Sequence, residues 1–270
     1  MPVTAASSTA AIPTAAIRVR DARFGYGSHE AAHADIEIEA GDVVAVLGAN
    51  GSGKSTLIKG MLGLVDVLGG SVEWFGRPLQ EADRSTVGYV PQRQSAAGPI
   101  PVTVEELVRS GRLASNGWWR RSRSDDRRAV DAAIDVVGLT EQRGRPVSRL
   151  SGGQQRRALV ARGLAGGARV LILDEPLAGV DAASQTALAD TLHVLTDAGT
   201  TIVIVLHELG PIQPLVTRVV AMHAGAVAFD GPVADVPKAL LHDDHADDAH
   251  GGFYEGPGDL GLFRGGVFRR

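Results

Sequence analysis

The stretch VVAVLGANGSGKST, residues 43–56, decides the fold. Its first five residues are apolar and predict a strand covered on both faces, and apolar residues at 57, 58, 61 and 62 predict a helix directly afterwards. Between them stand a glycine, four residues, a glycine, a lysine and a hydroxyl, which is the spacing of a phosphate-binding loop. Glycines let successive backbone N–H groups surround an anion, and the helix start adds positive charge. The nucleotide-binding residues predicted from this pattern are Gly48, Asn50, Gly51, Ser52, Gly53, Lys54, Ser55 and Thr56.

Two residues of this loop have specific predicted partners. Lys54 would bridge the outer phosphates of a nucleotide, and the hydroxyl of Ser55 would bind Mg²⁺. The alternative is a glycine-rich turn without a ligand. The lysine, the hydroxyl and the strand-to-helix context all argue against that alternative.

A second motif is RVLILDEP at 169–176, where a short apolar strand ends in two adjacent carboxylates. Asp174 at the strand end is predicted to orient the Mg²⁺ ion, and Glu175 to act as general base toward the attacking water. Two acids after a strand are often only a turn. Combined with a phosphate-binding loop, however, they indicate phosphoryl transfer from a nucleotide.

A third motif, LSGGQ at 150–154, leads into a predicted helix. Ser151 is predicted to cap this helix, and Gly152 and Gly153 have no side chains that would cover the backbone N–H groups. This helix start is therefore a second candidate anion site. It has no lysine or Mg²⁺ ligand of its own. We therefore predict that Ser151, Gly152, Gly153 and Gln154 cover a nucleotide held by another copy of the chain; a simple helix cap is the alternative.

Hydrophobic periodicity predicts strands at both ends of the chain and helices between them. Extended segments fill 17–47, further strands are predicted at 71–74 and 87–90, and a helical insert occupies 102–150. Strands alternate with helices from 154 to 206, which favours a mostly parallel sheet. A hairpin is predicted for 219–222 and 226–229, and a last helix for 233–241.

The composition excludes several classes of protein. The chain has 270 residues, 44% of them hydrophobic, so it can bury a substantial core. With no cysteine the chain has neither a disulfide framework nor a thiolate metal site. Its net charge of −4 lacks the positive excess that is typical of proteins that bind nucleic acid. Its apolar stretches are shorter than a membrane span, and its first residues lack a secretory signal, so we expect a cytoplasmic protein.

Together, the ordered motifs resemble the ATP-binding subunit of an ABC (ATP-binding cassette) transporter from about residue 17 to 241. The resemblance implies an α/β fold, a P-loop NTPase cassette with a mixed β core, an antiparallel β region and a helical subdomain inserted at about 93–165. Residues 1–16 and 242–270 would then be tails. It also implies ATP and Mg²⁺ as cofactors.

The resemblance also implies a role in the site for four further residues. Tyr26, in FGYG at 24–27, matches the aromatic residue that stacks on adenine. Gln92 matches a glutamine that touches Mg²⁺ and the attacking water, Asp181 an aspartate that communicates across a dimer, and His207 a histidine near the γ-phosphate.

The partners implied by the resemblance are a second copy of the chain, transmembrane permease subunits and an extracellular substrate-binding protein. Two copies would close head to tail around two MgATP molecules at the cytoplasmic face of the membrane. A soluble ABC ATPase outside transport and a small-molecule kinase are the other function classes. The single phosphate-binding loop, the short helical insert and the LSGGQ motif argue against both.

The resemblance leaves two classes of transported cargo. PVTVEEL at 101–107, SGR at 110–112 and HELGP at 207–211 resemble ATPases for zinc or manganese uptake, and importers of iron chelates or cobalamin are the alternative. Three histidines and four aspartates at 242–250 could bind Zn²⁺ or Mn²⁺ weakly, or form a solvated acidic tail. The arginines at 120–128, beside Trp118 and Trp119, are either an interface or a solvated connection.

Overall fold

The computed structural model describes residues 15–92, 101–113 and 124–237. In these ranges ten strands are present: β1 (Ala15–Tyr26), β2 (His29–Glu39), β3 (Val43–Leu47), β4 (Asp66–Trp74), β5 (Arg77–Pro78), β6 (Val87–Val90), β7 (Val170–Asp174), β8 (Thr201–Val205), β9 (Arg218–His223) and β10 (Ala226–Pro232). The α-helices of the same ranges are α1 (Lys54–Met61), α2 (Val104–Ser110), α3 (Ser124–Val136), α4 (Gly152–Gly166) and α5 (Ala182–Asp197). Residues 1–14 of the predicted amino-terminal tail and all of the predicted tail 242–270 lie outside the described residues, whereas residues 15 and 16 already belong to β1. Trp118 and Trp119, with the first arginines of the basic run, also lie outside them.

All ten strands join one mixed sheet, in the order β5-β4-β1-β2-β10-β9-β3-β8-β7-β6. The half formed by β9, β3, β8, β7 and β6 is parallel, and the half formed by β5, β4, β1 and β2 is antiparallel. Strand β10 connects the halves: it pairs antiparallel with β9 and meets β2 in parallel at a single residue pair. The mixed core and the antiparallel region predicted for the chain are both present.

The central strands are buried on both faces, as their unbroken apolar sequences predict. Every residue of β3, β7 and β8 is buried. Successive side chains point to opposite faces, so Val43, Ala45 and Leu47 pack in one core, and Val44 and Val46 in the other. The first core contains α2 to α5 and the second contains α1 with the antiparallel strands, so the helical part lies on one face of the parallel sheet.

The carboxyl ends of the parallel strands position the predicted site residues. Register pairs align Val90 with Leu173 and Asp174 with Val205, while Val46 also pairs with Val205. The segments that follow β3, β6, β7 and β8 therefore leave the sheet at one edge. These segments carry the phosphate-binding loop, Gln92, Glu175 and His207.

An ion pair, a hydrogen bond and a close contact between two helices hold the helical part together. Arg112 on the α2 side binds Asp126 of α3 with its Nε 2.8 Å from Oδ1, and its Nη1 donates to the carbonyl of Ala165 in α4 at 3.0 Å. Gly111 lies so near α4 that a Cβ placed there would be 2.0 Å from the carbonyl oxygen of Arg162. The helices thus form a single packed unit. Within the described ranges, no helix is long and apolar enough to cross a bilayer.

The chain end differs in part from the prediction. The hairpin at 219–229 is confirmed, since β9 and β10 pair antiparallel around a turn at Ala224 and Gly225. The predicted last helix is wrong over its described part, where one 3₁₀ turn (Val233–Asp235) gives way to an extended Val236. Pro237 follows, and a residue before proline is driven out of the helical conformation. Residues 238–241 lie outside the described ranges.

Candidate functional site

The phosphate-binding loop has the backbone that its glycines predict. Gly48, after β3, has φ +143°, and a Cβ there would lie 2.3 Å from the carbonyl oxygen of Met222. Gly53 caps α1 in the left-handed region with φ +99°, and a Cβ would lie 2.9 Å from the carbonyl oxygen of Ala31. Only glycine satisfies both constraints at these positions. The loop therefore passes close to the sheet and turns straight into the helix.

Lys54, the first residue of α1, is buried inside this loop. Its side chain is 5% exposed, and its Nζ donates to the carbonyl oxygens of Gly48 and, at 3.0 Å, of Ala49. The adjoining cleft has a volume of about 190 Å³ and is lined by Ala31, residues 50–56 and Glu175. All predicted loop residues except Gly48 line this cleft, where they surround a space suited to an anion.

Asp174 ends β7 as a buried carboxylate. The hydroxyl of Tyr89 donates to its Oδ2 at 3.3 Å, whereas its buried Oδ1 has no hydrogen-bond partner among the described residues. Burial, and then the charge of Glu175, raise the pKa of Asp174. Burial and the nearby Asp174 charge also raise the pKa of Tyr89. A buried oxygen without a donor, on a residue with a destabilised anion, suits a bound cation.

Glu175 lies between the two other predicted catalytic residues. The Nε2 of Gln92 donates to its Oε2, and the Nε2 of His207 lies 3.1 Å from its Oε1. The backbone of Glu175 has φ +48°, which is uncommon for a residue with a side chain. The structure thus brings together three residues that are 83 and 32 positions apart in the sequence, and Glu175 also lines the cleft of the phosphate-binding loop.

Arg156 is a contact of this site that the sequence motifs do not identify. From α4, its Nη1 donates to the carbonyl oxygen of Glu175 at 2.7 Å and its Nη2 to that of Ala178 at 2.8 Å. Arg156 and Arg157 both follow the LSGGQ motif, and the sequence carries no signal that tells which one turns toward Glu175.

The LSGGQ residues lie apart from the phosphate-binding loop within one chain. Ser151 caps α4 in a reciprocal capping box with Gln154, and none of residues 151–154 lines the described cleft of the loop. Asp181 likewise caps α5, accepting from the backbone N–H of Ser184 at 3.0 Å, and this hydrogen bond lowers the pKa of Asp181. Tyr26, at the end of β1, is 54% exposed and is also not among the residues lining that cleft.

Comparisons with known proteins agree with this geometry. Residues 32–178 match the ABC transporter family model. The chain is 36% identical over 222 residues to the manganese transport system ATP-binding protein MntB of Halalkalibacterium halodurans, covering 82% of this chain and 87% of that protein. It is 38% identical over 194 residues to the zinc transport system ATP-binding protein TroB of Treponema pallidum, covering 72% and 73%.

A solved chain of a metal-chelate type ABC transporter in an inward-facing conformation superposes with a TM-score of 0.72 at 26% identity, covering 83% of this chain and 85% of that one. These matches confirm the predicted resemblance and the fold class. They support ATP as the ligand of the cleft. This chain therefore belongs to the ABC transporter family, and it is an ATPase built on that family's ATP-binding cassette.

Proposed function

We propose that this chain is the ATP-hydrolysing subunit of a membrane importer for a divalent metal ion, zinc or manganese. The observation that carries the hydrolytic part is the carboxylate of Glu175, held on both oxygens by Gln92 and His207 at the rim of the Lys54 loop. The metal cargo rests on the relatives named for manganese and zinc transport.

The residues at the cleft fit a magnesium ion bound with the nucleotide. The unpartnered, buried Oδ1 of Asp174 is an oxygen ligand of the kind Mg²⁺ prefers. Asp174, the Ser55 hydroxyl and Gln92 would hold the ion. When bound, the ion supplies positive charge that offsets the charge of the phosphates.

Hydrolysis would use the remaining groups in distinct ways. Lys54 and the loop backbone bind the outer phosphates, and Glu175 orients the attacking water and accepts its proton. Gln92 and His207 fix the direction of that carboxylate, and His207 would also contact the γ-phosphate, as the resemblance to ABC ATPases implies. Because these groups are already oriented, little reorganisation is needed during reaction.

A homodimer would complete each site. Ser151 and Gly152 are exposed at the start of α4, where backbone N–H groups can bind the γ-phosphate of a nucleotide held by the second copy. Asp181, at the start of α5, would contact the partner copy, and the exposed ring of Tyr26 would stack on adenine. ATP would then hold the dimer together, and hydrolysis would release it.

The proposed partners are transmembrane permease subunits and an extracellular substrate-binding protein, with this chain at the cytoplasmic face of the membrane. These assignments rest on the resemblance to import systems. The helical part, predicted as an insert at about 93–165, would transmit closure of the dimer to the permease. The segment 242–250 stays a proposed weak Zn²⁺ or Mn²⁺ site.

The test is to measure cellular Zn, Mn, Fe and Co by mass spectrometry in metal-limited cells that carry wild-type or E175Q protein. A selective fall of zinc or manganese in E175Q cells is expected. The control is E81Q, the same substitution at an exposed carboxylate on the β5 side, which should leave all four metals at wild-type levels.

The second candidate cargo is a metal chelate, which the match to a metal-chelate type transporter favours. A fall of iron or cobalt alone would support that candidate, as an iron chelate or cobalamin respectively. If none of the four metals changes, the metal cargo is wrong, whereas the assignment as an ATPase is unaffected.

A further inference from the structure

Arg156 stands out because it joins α4 to the backbone of Glu175 and belongs to none of the three motifs. We propose that Arg156 is a positioning residue for ATP hydrolysis: it fixes the backbone of Glu175 and so connects the start of α4 to the general base of the same chain. The inference rests on the proposed role of Glu175.

The backbone of Glu175 needs such a contact. Its φ of +48° lies in the left-handed region, which residues with side chains rarely adopt. The N–H of Glu175 donates to the carbonyl oxygen of Val205 at 3.1 Å, and its own carbonyl oxygen accepts from the N–H of Ala178 at 3.3 Å. Arg156 Nη1 reaches the same carbonyl oxygen at 2.7 Å. This bond is the shortest of the three and comes from a charged donor, so it holds the conformation most firmly.

The guanidinium contacts two carbonyls of one turn. While Nη1 binds the oxygen of Glu175, Nη2 binds that of Ala178 at 2.8 Å, so the planar fork spans the turn that follows β7. Burial lowers the pKa of Arg156, and the charge of Glu175 partly offsets this effect. A half-buried cation that satisfies two backbone oxygens is suited to fixing the turn.

The same helix also contacts the far end of this turn. Gly153, in the first turn of α4, packs so closely on α5 that a Cβ would lie 2.4 Å from the Cβ of Ser184. Ser184 in turn donates its N–H to Asp181, the cap of α5. The start of α4 therefore holds the segment 175–184 at both ends. When Ser151 and Gln154 engage the nucleotide of a second copy, a shift of α4 would move the backbone of Glu175.

The expected effect is on turnover and not on nucleotide binding. Without Arg156 the turn relaxes and the carboxylate moves from its position, and a misplacement of about 1 Å can lower a rate on the order of 100-fold. The loop 48–56 has no contact with Arg156 in the described structure, so the affinity for ATP should be unchanged.

The test compares kcat and KM for MgATP among full-length wild type, R156A, R156K and E175Q. For R156A we expect kcat to fall about 10- to 100-fold with KM within about twofold of wild type. R156K should recover part of the loss, since one ammonium can reach one of the two carbonyls. If R156A does not fold, R156Q, which keeps an amide donor, replaces it with the same expected loss.

The matched control is R162A. Arg162 lies on the same helix, is also half-buried, and donates from Nη2 to a backbone carbonyl, that of Tyr89, at 3.3 Å. R162A should lower the melting temperature about as much as R156A and leave kcat within about twofold of wild type.

Three outcomes decide against the proposal. If R156A keeps kcat within twofold while E175Q loses turnover, the inference is wrong and the proposed function stands. Equal losses of kcat in R156A and R162A would make Arg156 merely structural, which also overturns the inference. If E175Q itself turns over at the wild-type rate, the proposed role of Glu175 is wrong, and the inference about Arg156 is wrong with it.

Discussion

Lys54 is the residue on which nucleotide binding should depend most directly. Its Nζ donates to the carbonyl oxygens of Gly48 and Ala49 inside the loop, where it adds positive charge to the cleft lined by residues 50–56. K54A removes one charge-assisted contact to the phosphates, which corresponds to a loss of ATP affinity of about 10- to 100-fold. Titration with a fluorescent ATP analogue measures this loss.

The control for K54A is K59A, at the other end of the same helix. Lys59 lies in the last turn of α1 and does not line the described cleft. K59A should therefore bind the analogue with wild-type affinity. Full affinity in K54A would contradict the assignment of the phosphate-binding loop.

Asp174 should destabilise the protein at neutral pH when no nucleotide or metal is bound. Burial and the charge of Glu175 raise its pKa, and a carboxyl whose pKa is higher in the folded than in the unfolded state lowers the free energy of unfolding once it is ionised. D174N removes this charge at nearly constant shape. We expect its melting temperature in EDTA to rise by about 2 to 4 °C, equivalent to about 1 kcal/mol, while ATP hydrolysis is lost.

D181N is the matched control, because the pKa of Asp181 is shifted the other way. A backbone hydrogen bond from Ser184 lowers that pKa, so ionised Asp181 stabilises the fold. D181N should not raise the melting temperature. If D174N melts below wild type, contacts other than those described stabilise the charge on Asp174, and its burial does not destabilise the fold.

The sequence motifs predict which residue types gather at the ends of the parallel strands, but not the conformation in which the structure holds them. Spacing identifies Lys54, Asp174 and Glu175 because phosphate binding and metal binding need fixed residue types at strand ends. It does not reveal the left-handed backbone of Glu175 or the contact from Arg156. Both depend on how α4 packs against the end of β7, which is a long-range contact without a local pattern.

Among the helices, the contact between α2 and α4 is the most sensitive to a single added methyl group. Gly111 has an ordinary helical backbone, but a Cβ there would lie 2.0 Å from the carbonyl oxygen of Arg162, and backbone cannot move aside cheaply. G111A should therefore push α2 away from α4 and lower the free energy of unfolding by about 1 to 3 kcal/mol. Urea unfolding followed by circular dichroism measures this change.

G144A is the control for this substitution, since a Cβ at Gly144 meets nothing within 4 Å. It should unfold at the same urea concentration as wild type or slightly above it. ATP affinity should be preserved in both variants, because α1, which begins in the phosphate-binding loop, packs on the opposite face of the sheet from α2 and α4. Equal stability of G111A and wild type would show that the helices separate without cost.

Elements with a distinct hydrophobic pattern were predictable from the sequence, and elements whose limits depend on pairing with a distant strand were less so. The all-apolar strands β3, β7 and β8 follow directly from their sequences. Strand β4 begins at Asp66, five residues before the strand expected at 71–74, because pairing with β1 extends it through residues 66–70, which include two adjacent glycines. The helix predicted at 233–241 is wrong over its described part, because Pro237 drives the preceding residue out of the helical conformation that apolar spacing alone favours.

At the level of the whole molecule, the order of the ten strands could not be predicted from the sequence. Alternating strands and helices predict a parallel sheet, but nothing in the sequence shows that β2 meets β10 at one residue pair and so joins the antiparallel half to the parallel half. Strand order reflects contacts between distant segments. The separation of LSGGQ from the phosphate-binding loop was predictable, because that motif lacks a lysine and a metal ligand of its own.

This separation leads to a prediction about assembly. Ser151 and Gly152 are exposed at the start of α4, and the nucleotide cleft is lined by the loop and Glu175 without them. If a second copy supplies them, a variant that binds ATP and cannot hydrolyse it should remain dimeric. E175Q with MgATP should therefore elute at twice the monomer mass in size-exclusion chromatography with light scattering, and return to a monomer with ADP.

The double variant K54A/E175Q is the control, and it should stay monomeric because its affinity for ATP is reduced. An E175Q protein that is saturated with ATP and still monomeric would contradict the proposed dimer, and the LSGGQ residues would then be only the cap of α4.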